Sequence, residues 1–217
     1  MDGMIFRRRA MASLAARSQS KYIQFEDPAV EAICVANWSS DGIGLTMEDA
    51  AAVTSLGTAF RENSEITTFT ELSYFTQLKT LSSYTFYNCV NLHSVNLANI
   101  EVVHGNSLAG TAITDLYLHS VVTLGNSGIQ NMKSIRKIHL GPNLTTIEQY
   151  NFWGYTTGGN IDVIVEATTP PSLAGNNQAS WYGITFYVPD ASVEAYKTAT
   201  NWTNFASRIK PLSEYNG

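Results

Sequence analysis

One apolar pattern recurs four times in this chain, and its period leaves few folds open. An opening half reads Ile66-x-x-Phe69, Leu92-x-x-Val95-x-Leu97, Ile113-x-x-Leu116-x-Leu118 and Ile135-x-x-Ile138-x-Leu140. A closing half reads Leu78-x-x-Leu81-x4-Phe86, Ile100-x-x-Val103-x4-Leu108, Val121-x-x-Leu124-x4-Ile129 and Leu144-x-x-Ile147-x4-Phe152. The units begin at residues 66, 92, 113 and 135, giving lengths of 26, 21 and 22, with about 26 in the last. Alternation with period two in the opening half makes a short strand whose apolar side chains point to one side. The closing half supplies three more inward anchors on a return path. One such unit cannot bury its own apolar side, so units must stack, opening strand beside opening strand, in a parallel sheet. A last strand, Ile161 to Glu166, closes the series with Val163 and Val165 inward.

The ends of the stack need covers. Before the first unit, Tyr22 to Phe25 reads as a strand, and Asp27-Pro28 opens a helix with Asp as N-cap and Pro at its first position. Val30, Ile33 and Cys34 form its apolar face. A second helix starts at Thr46, with Asp49 in a capping-box arrangement, and runs through Ala50–Leu56. Beyond the repeats, the Thr168-Thr-Pro-Pro segment is an extended turn, and Tyr187-Val-Pro-Asp190 leads into a helix over Ala191–Thr198 with Val193 and Tyr196 inward. Trp202, Phe205 and Ile209 then seal the far end.

Charge is unevenly placed. The net charge is −5, yet Arg7, Arg8, Arg9, Arg17 and Lys21 stand against Asp2 alone in the first 21 positions. The remainder holds 8 basic against 17 acidic residues, a balance of −9. A basic arm on an acidic body either meets an acidic surface or nucleic acid, or is simply a solvated terminus. No apolar run long enough for a secretory signal follows the arginines, and no span of 18 apolar residues occurs. Read that way, the chain is made and kept in a cytoplasm.

Catalytic and metal-binding patterns are not found. His93, His104, His119 and His139 form no His-x3-His pair or Cys/His set. There is no Gly-x-Ser-x-Gly elbow, phosphate loop or catalytic carboxylate pair, and the Gly154–Gly159 stretch reads as a turn between units. Cys34 and Cys89 read as buried small hydrophobes, the latter at a corner where a sulfur satisfies a turning backbone group. The expectation is a protein that is not an enzyme and needs no cofactor or metal. Binding is expected on the sheet, through the strand residues that alternate with the buried ones. These are Thr68 and Thr70; Ser94, Asn96 and Ala98; Asp115, Tyr117 and His119; Lys137 and His139; and Asp162, Ile164 and Glu166. Tyr117 beside two histidines is the most binding-like group, because an aromatic ring gives contact area at little entropic cost. Sugar, protein and peptide ligands all suit it.

The run Phe86-Tyr-Asn-Cys-Val-Asn-Leu, the closing Ala167-Thr-Thr-Pro-Pro, and Tyr187-Val-Pro-Asp-Ala-Ser-Val-Glu-Ala-Tyr-Lys resemble BspA-like leucine-rich-repeat proteins of gut bacteria and their phages. The resemblance covers roughly residues 22–212. It implies an α/β repeat fold: a leucine-rich-repeat solenoid of about four coils with helical N-terminal and C-terminal caps. The arm then spans 1–21, the N-terminal cap 22–65, the repeats 66–165 and the C-terminal cap 166–217. The family is described chiefly as surface adhesion and binding proteins. Its N-terminal cap often carries a calcium-like acidic loop; the matching positions here are Asn37, Ser39, Asp41, Gly42 and Glu48, too few carboxylates for the ion. Two roles follow. One is a phage virion component, with Arg7, Arg8, Arg9 and Arg17 docking it to a protein partner in a capsid or tail assembly. The other is a bacterial surface adhesin that takes a host protein or glycan on the sheet. The first is favoured on the lack of an export signal; a nucleic-acid partner is not the expected one.

Overall fold

The computed structural model describes residues 21–155, 160–177 and 183–217. The opening halves form short strands: β1 (Thr68–Phe69), β3 (Ser94–Val95), β5 (Asp115–Leu118), β7 (Lys137–Leu140) and β9 (Ile161–Val165). The order is β1-β3 in one sheet, and β5-β7-β9 in another that continues into β11 (Ile184–Val188) and β12 (Ile209–Pro211), all parallel. The break between the two sheets falls between β3 and β5; in the first unit, the residues after Phe69 wind into a 3-10 turn, Thr70–Tyr74. The closing halves form a second parallel ladder. Its two-residue rungs are β2 (Thr80–Leu81), β4 (Val102–Val103), β6 (Thr123–Leu124), β8 (Thr146–Ile147) and β10 (Ser172–Leu173). Leu81, Val103, Leu124, Ile147 and Leu173 all point into one core, with Phe86, Leu108, Ile129 and Phe152 stacked behind them.

Asparagine, hydroxyl and thiol groups at the turns of that core find hydrogen-bond partners. Asn151, fully buried, donates its amide to the Gly125 and Glu148 carbonyls at 3.0 Å each, and its backbone N–H donates to Asn177 Oδ1 at 2.9 Å. Thr85 and Ser107 serve earlier units in the same way, donating to Gly57 and Gly128 carbonyls. Cys89 Sγ donates to the Phe60 carbonyl at 3.0 Å, the corner role expected of it, and burial pushes its thiol up to about 11. Cys34 is buried as well. A buried turn whose backbone groups lacked such partners would lose about 1–3 kcal/mol per group.

The N-terminal segment holds α1 (Pro28–Trp38) and α2 (Met47–Ala52). The Thr46–Asp49 capping box forms, but α2 ends at Ala52 rather than Leu56. The chain leaves helical geometry at Val53, whose backbone is extended, and Val53 and Leu56 are both buried. The expected strand at Tyr22–Phe25 is reduced to a single antiparallel bridge, Tyr22 to Thr46. At the other end, the expected helix splits into a 3-10 turn, Asp190–Ser192, and α3 (Val193–Thr198). Tyr196, Trp202, Phe205 and Ile209 are buried as read. β11 and β12 had no counterpart in the sequence reading.

Asp27 joins the N-terminal segment to the first unit. Its Oδ1 accepts from Ala29 N–H at 2.8 Å as the cap of α1. Its Oδ2 accepts from Thr67 N–H (2.6 Å), Thr67 Oγ1 (2.9 Å) and Thr68 N–H (3.3 Å). Burial works against its charge, but the hydrogen bonds from Thr67, Ala29 and Thr68 outweigh it and hold the carboxyl below the usual aspartate range. Asp27→Ala should therefore destabilise the protein by about 2–4 kcal/mol, from the lost cap and the N–H groups left buried without an acceptor. A depressed folded value also fixes the pH dependence. The contribution is present above the unfolded value of about 3.9 and is lost as pH falls through the folded one. Melts of Asp27→Asn should show a shallower acid limb than wild type below about pH 4; parallel limbs would remove Asp27 from this role.

Candidate binding face

β5 alternates cleanly. Leu116 and Leu118 are buried, while Asp115 and Tyr117 are exposed, Tyr117 at 57%. The register then aligns rows across the sheet: Asp115 with Lys137 with Asp162, and Tyr117 with His139 with Ile164. The first row alternates charge, acid-base-acid, the arrangement that cross-strand neighbours favour. In the second, the Tyr117 and His139 rings lie 5.7 Å apart and inclined at 42°. One step further along, His119 and Glu166 flank Gly141, where a Cβ would run into the His119 carbonyl. With no side chain between them, Glu166 reaches both histidines. Its Oε1 lies 2.9 Å from His139 Nε2 and its Oε2 3.6 Å from His119 Nδ1. Beside Tyr117 and His119 opens a groove of about 340 Å³, walled by Thr70, Ser94, Asn96 and Ala98. Six of the residues expected on the face thus meet in one depression.

Residues 54–167 match the BspA type Leucine rich repeat region, in six copies. The chain belongs to the BspA-type leucine-rich-repeat family. No curated protein matches it at a significant level. In this BspA-type chain the match starts ahead of Ile66, and the structure gives the reason. Phe60 is buried against Phe86, their rings 5.4 Å apart, and Glu62 N–H donates to the Tyr87 carbonyl as later units donate to one another.

Two of the BspA-type chain's expected face residues are not on the surface. Thr68 is buried beside Asp27, at 7% exposure, and Ile164 is covered, at 4%. Ile164 lies between His139 and Tyr187 in the ladder, and Tyr187 carries Tyr215 against it, ring centroids 4.9 Å apart. Tyr215 also lies under Lys137, whose Nζ is 5.3 Å from the ring centroid. The Tyr215 side chain, with smaller effects from Tyr117 and Asp115, holds the Lys137 ammonium above its ordinary range. These two tyrosines were missed from sequence. The alternation Ile184-Thr-Phe-Tyr-Val could have revealed Tyr187, since it has the same inward–outward period as the repeats.

The face carries carboxylates, imidazoles, an ammonium and an exposed phenol on a shallow surface, groups suited to holding a ligand by stacking and hydrogen bonding. At the calcium-like loop, Asp41 is occupied by the chain itself. It accepts from Lys21 Nζ (2.8 Å) and Tyr22 Oη (2.7 Å) on one oxygen and from Ile43 N–H (2.9 Å) on the other. Lys21 foremost, then Tyr22 and Ile43, hold its carboxyl well below the usual range. Among the described residues no three His, Cys, Asp or Glu side chains converge as metal ligands, and no helix is long and apolar enough to cross a membrane. Arg7, Arg8, Arg9 and Arg17 lie outside the described residues, as does most of the Gly154–Gly159 stretch.

Proposed function

We propose that this protein is a non-enzymatic binding component: a leucine-rich-repeat solenoid of about four coils, covered by helical segments at 22–65 and 166–217, that presents the Asp115–Glu166 face to a partner. The observation that carries the reading is Tyr117, 57% exposed between Asp115 and His119 on the edge strand and beside a groove. A large ring left open on a rigid parallel sheet is an anchor of the kind that dominates binding energies. Asp115, His119, Lys137, His139, Asp162 and Glu166 set orientation around it.

In its most specific form the role is that of a phage virion component, either a decoration, fibre or host-attachment protein, joined to a capsid or tail protein through residues 1–21. Charge segregation supports this, since Arg7, Arg8, Arg9 and Arg17 precede a body with a balance of −9. Membership of the BspA-type family supports a second role, an adhesin on the bacterial surface binding a host protein or glycan. Deleting residues 1–21 separates the two. A virion protein so truncated should stay folded and soluble but no longer sediment with particles. Wild-type attachment should weaken with salt, because exposed charges are screened within about 8–10 Å at physiological ionic strength. Mass spectrometry of purified particles should find the chain there. Recovery from the surface or culture fraction of phage-free cells instead would replace the virion role with the adhesin.

A further inference from the structure

On the edge joining each return strand to the next opening strand, the backbone turns through two left-handed residues four apart. The first of each pair is Tyr84, Asn106, Ser127 or Tyr150, with φ of 66°, 57°, 59° and 63°. Asparagine tolerates this conformation; a bulky ring there is strained, and strain that persists points towards use. Each of these tyrosines has a second ring three residues on. Tyr84 meets Tyr87 edge-on at 5.3 Å, and Tyr150 meets Trp153 edge-on at 6.2 Å. Tyr84 and Trp153 are each 39% exposed. The two intervening units put Asn106 and Ala109, then Ser127 and Gln130, at the same positions. Backbone bonds from Tyr84 to Gly105, Asn106 to Ser127 and Ser127 to Gln149 make the aromatic pairs three rungs apart, about 14 Å at the usual strand spacing.

Beside the first pair, on the same corner, lies a groove of about 360 Å³. Tyr87, Asn88, Val90, Ala109, Gly110 and Asn131 line it. Asn131 N–H donates to the Trp153 carbonyl at 2.9 Å, so the backbone carrying the second pair adjoins the groove residue Asn131. Among the described residues lining it, only Lys133 is charged. The nearby Arg61 is engaged by Glu62 at 3.1 Å and covers one face of each ring of the first pair, its guanidinium 5.1 Å from the Tyr84 centroid and 5.6 Å from that of Tyr87. We propose that this corner groove binds a linear, uncharged polysaccharide laid along the stacking axis. Ring faces are electron-rich and suit the C–H faces of sugars. Amides offer donor and acceptor together, matching hydroxyl groups, where an anionic chain would need an array of free cations. A regular polymer also fits two aromatic pairs set at equivalent positions and a fixed spacing along the repeat.

The full chain should be retarded in native gels containing one soluble neutral polysaccharide at a time (xylan, laminarin or hydroxyethylcellulose), with polygalacturonate as the anionic contrast. Tyr84→Asn with Tyr150→Asn should lose the retardation, raising Kd about tenfold or more. Its melting temperature should hold or rise, since Asn accepts the left-handed turn. Trp153→Ala alone should weaken binding. No retardation in any neutral gel, retardation by polygalacturonate alone, or retardation unchanged in the Asn double variant would each overturn the proposal. So would wild-type self-association that the double variant abolishes, which would assign the corner to a second copy of the chain.

Discussion

Phe152→Ala should lower stability by about 3–5 kcal/mol, the loss usual for a fully buried ring that leaves a cavity, and the melting temperature by about 10 °C for a chain of this size. Phe152 is entirely buried and meets Phe186 edge-on at 5.4 Å. Phe186 in turn contacts Trp202 at 5.2 Å and Phe205 at 5.5 Å, and Trp202 contacts Tyr196 at 5.0 Å. The ring of Phe152 is therefore the link between the last full repeat and the C-terminal segment. An apolar space of that kind stays dry, so water offers no compensation. The neighbouring Trp153→Ala is the control: a ring 39% exposed on the corner should lose about 1 kcal/mol or less. Equal losses at the two positions would mean that the inward register of the closing halves is misplaced.

That register was the most legible part of the chain. Every apolar position named in the four closing halves is buried, because each unit must supply one side chain per rung and selects it with a fixed spacing. The Asp27-Pro28 start and the Thr46–Asp49 box were equally readable, since a cap is a local choice made by a few adjacent residues. Tertiary effects were not. An outward position on a strand is exposed only if nothing returns over it, and the tail that places Tyr215 beside Tyr187 returns from fifty residues beyond Ile164. The early end of α2 was not legible either, since Val53 is extended despite the helix preference of the alanines before it. The second ladder escaped notice because its rungs are two residues long, too short for alternation to register. At the face, alternation identified Asp115, Tyr117, Lys137 and His139, but it carried no sign that Gly141 would let Glu166 span to both histidines.

The central claim is that the face around Tyr117 is where a partner is held. Capture on whole bacterial or host cells should be lost on combining Tyr117→Ala with His119→Ala. Tyr117 supplies the exposed anchor, and His119 is open to solvent over 70% of its side chain, so neither holds the core. The melting temperature of the double variant should accordingly match wild type within about 0.5 kcal/mol of stability. Truncating a central aromatic anchor commonly removes about 2 kcal/mol or more of binding energy, roughly thirtyfold in Kd. The direct test is titration of wild type and double variant side by side on the same captured surface. The expected result is a fall of at least that size at unchanged Tm, and equal binding by the two proteins would contradict the claim.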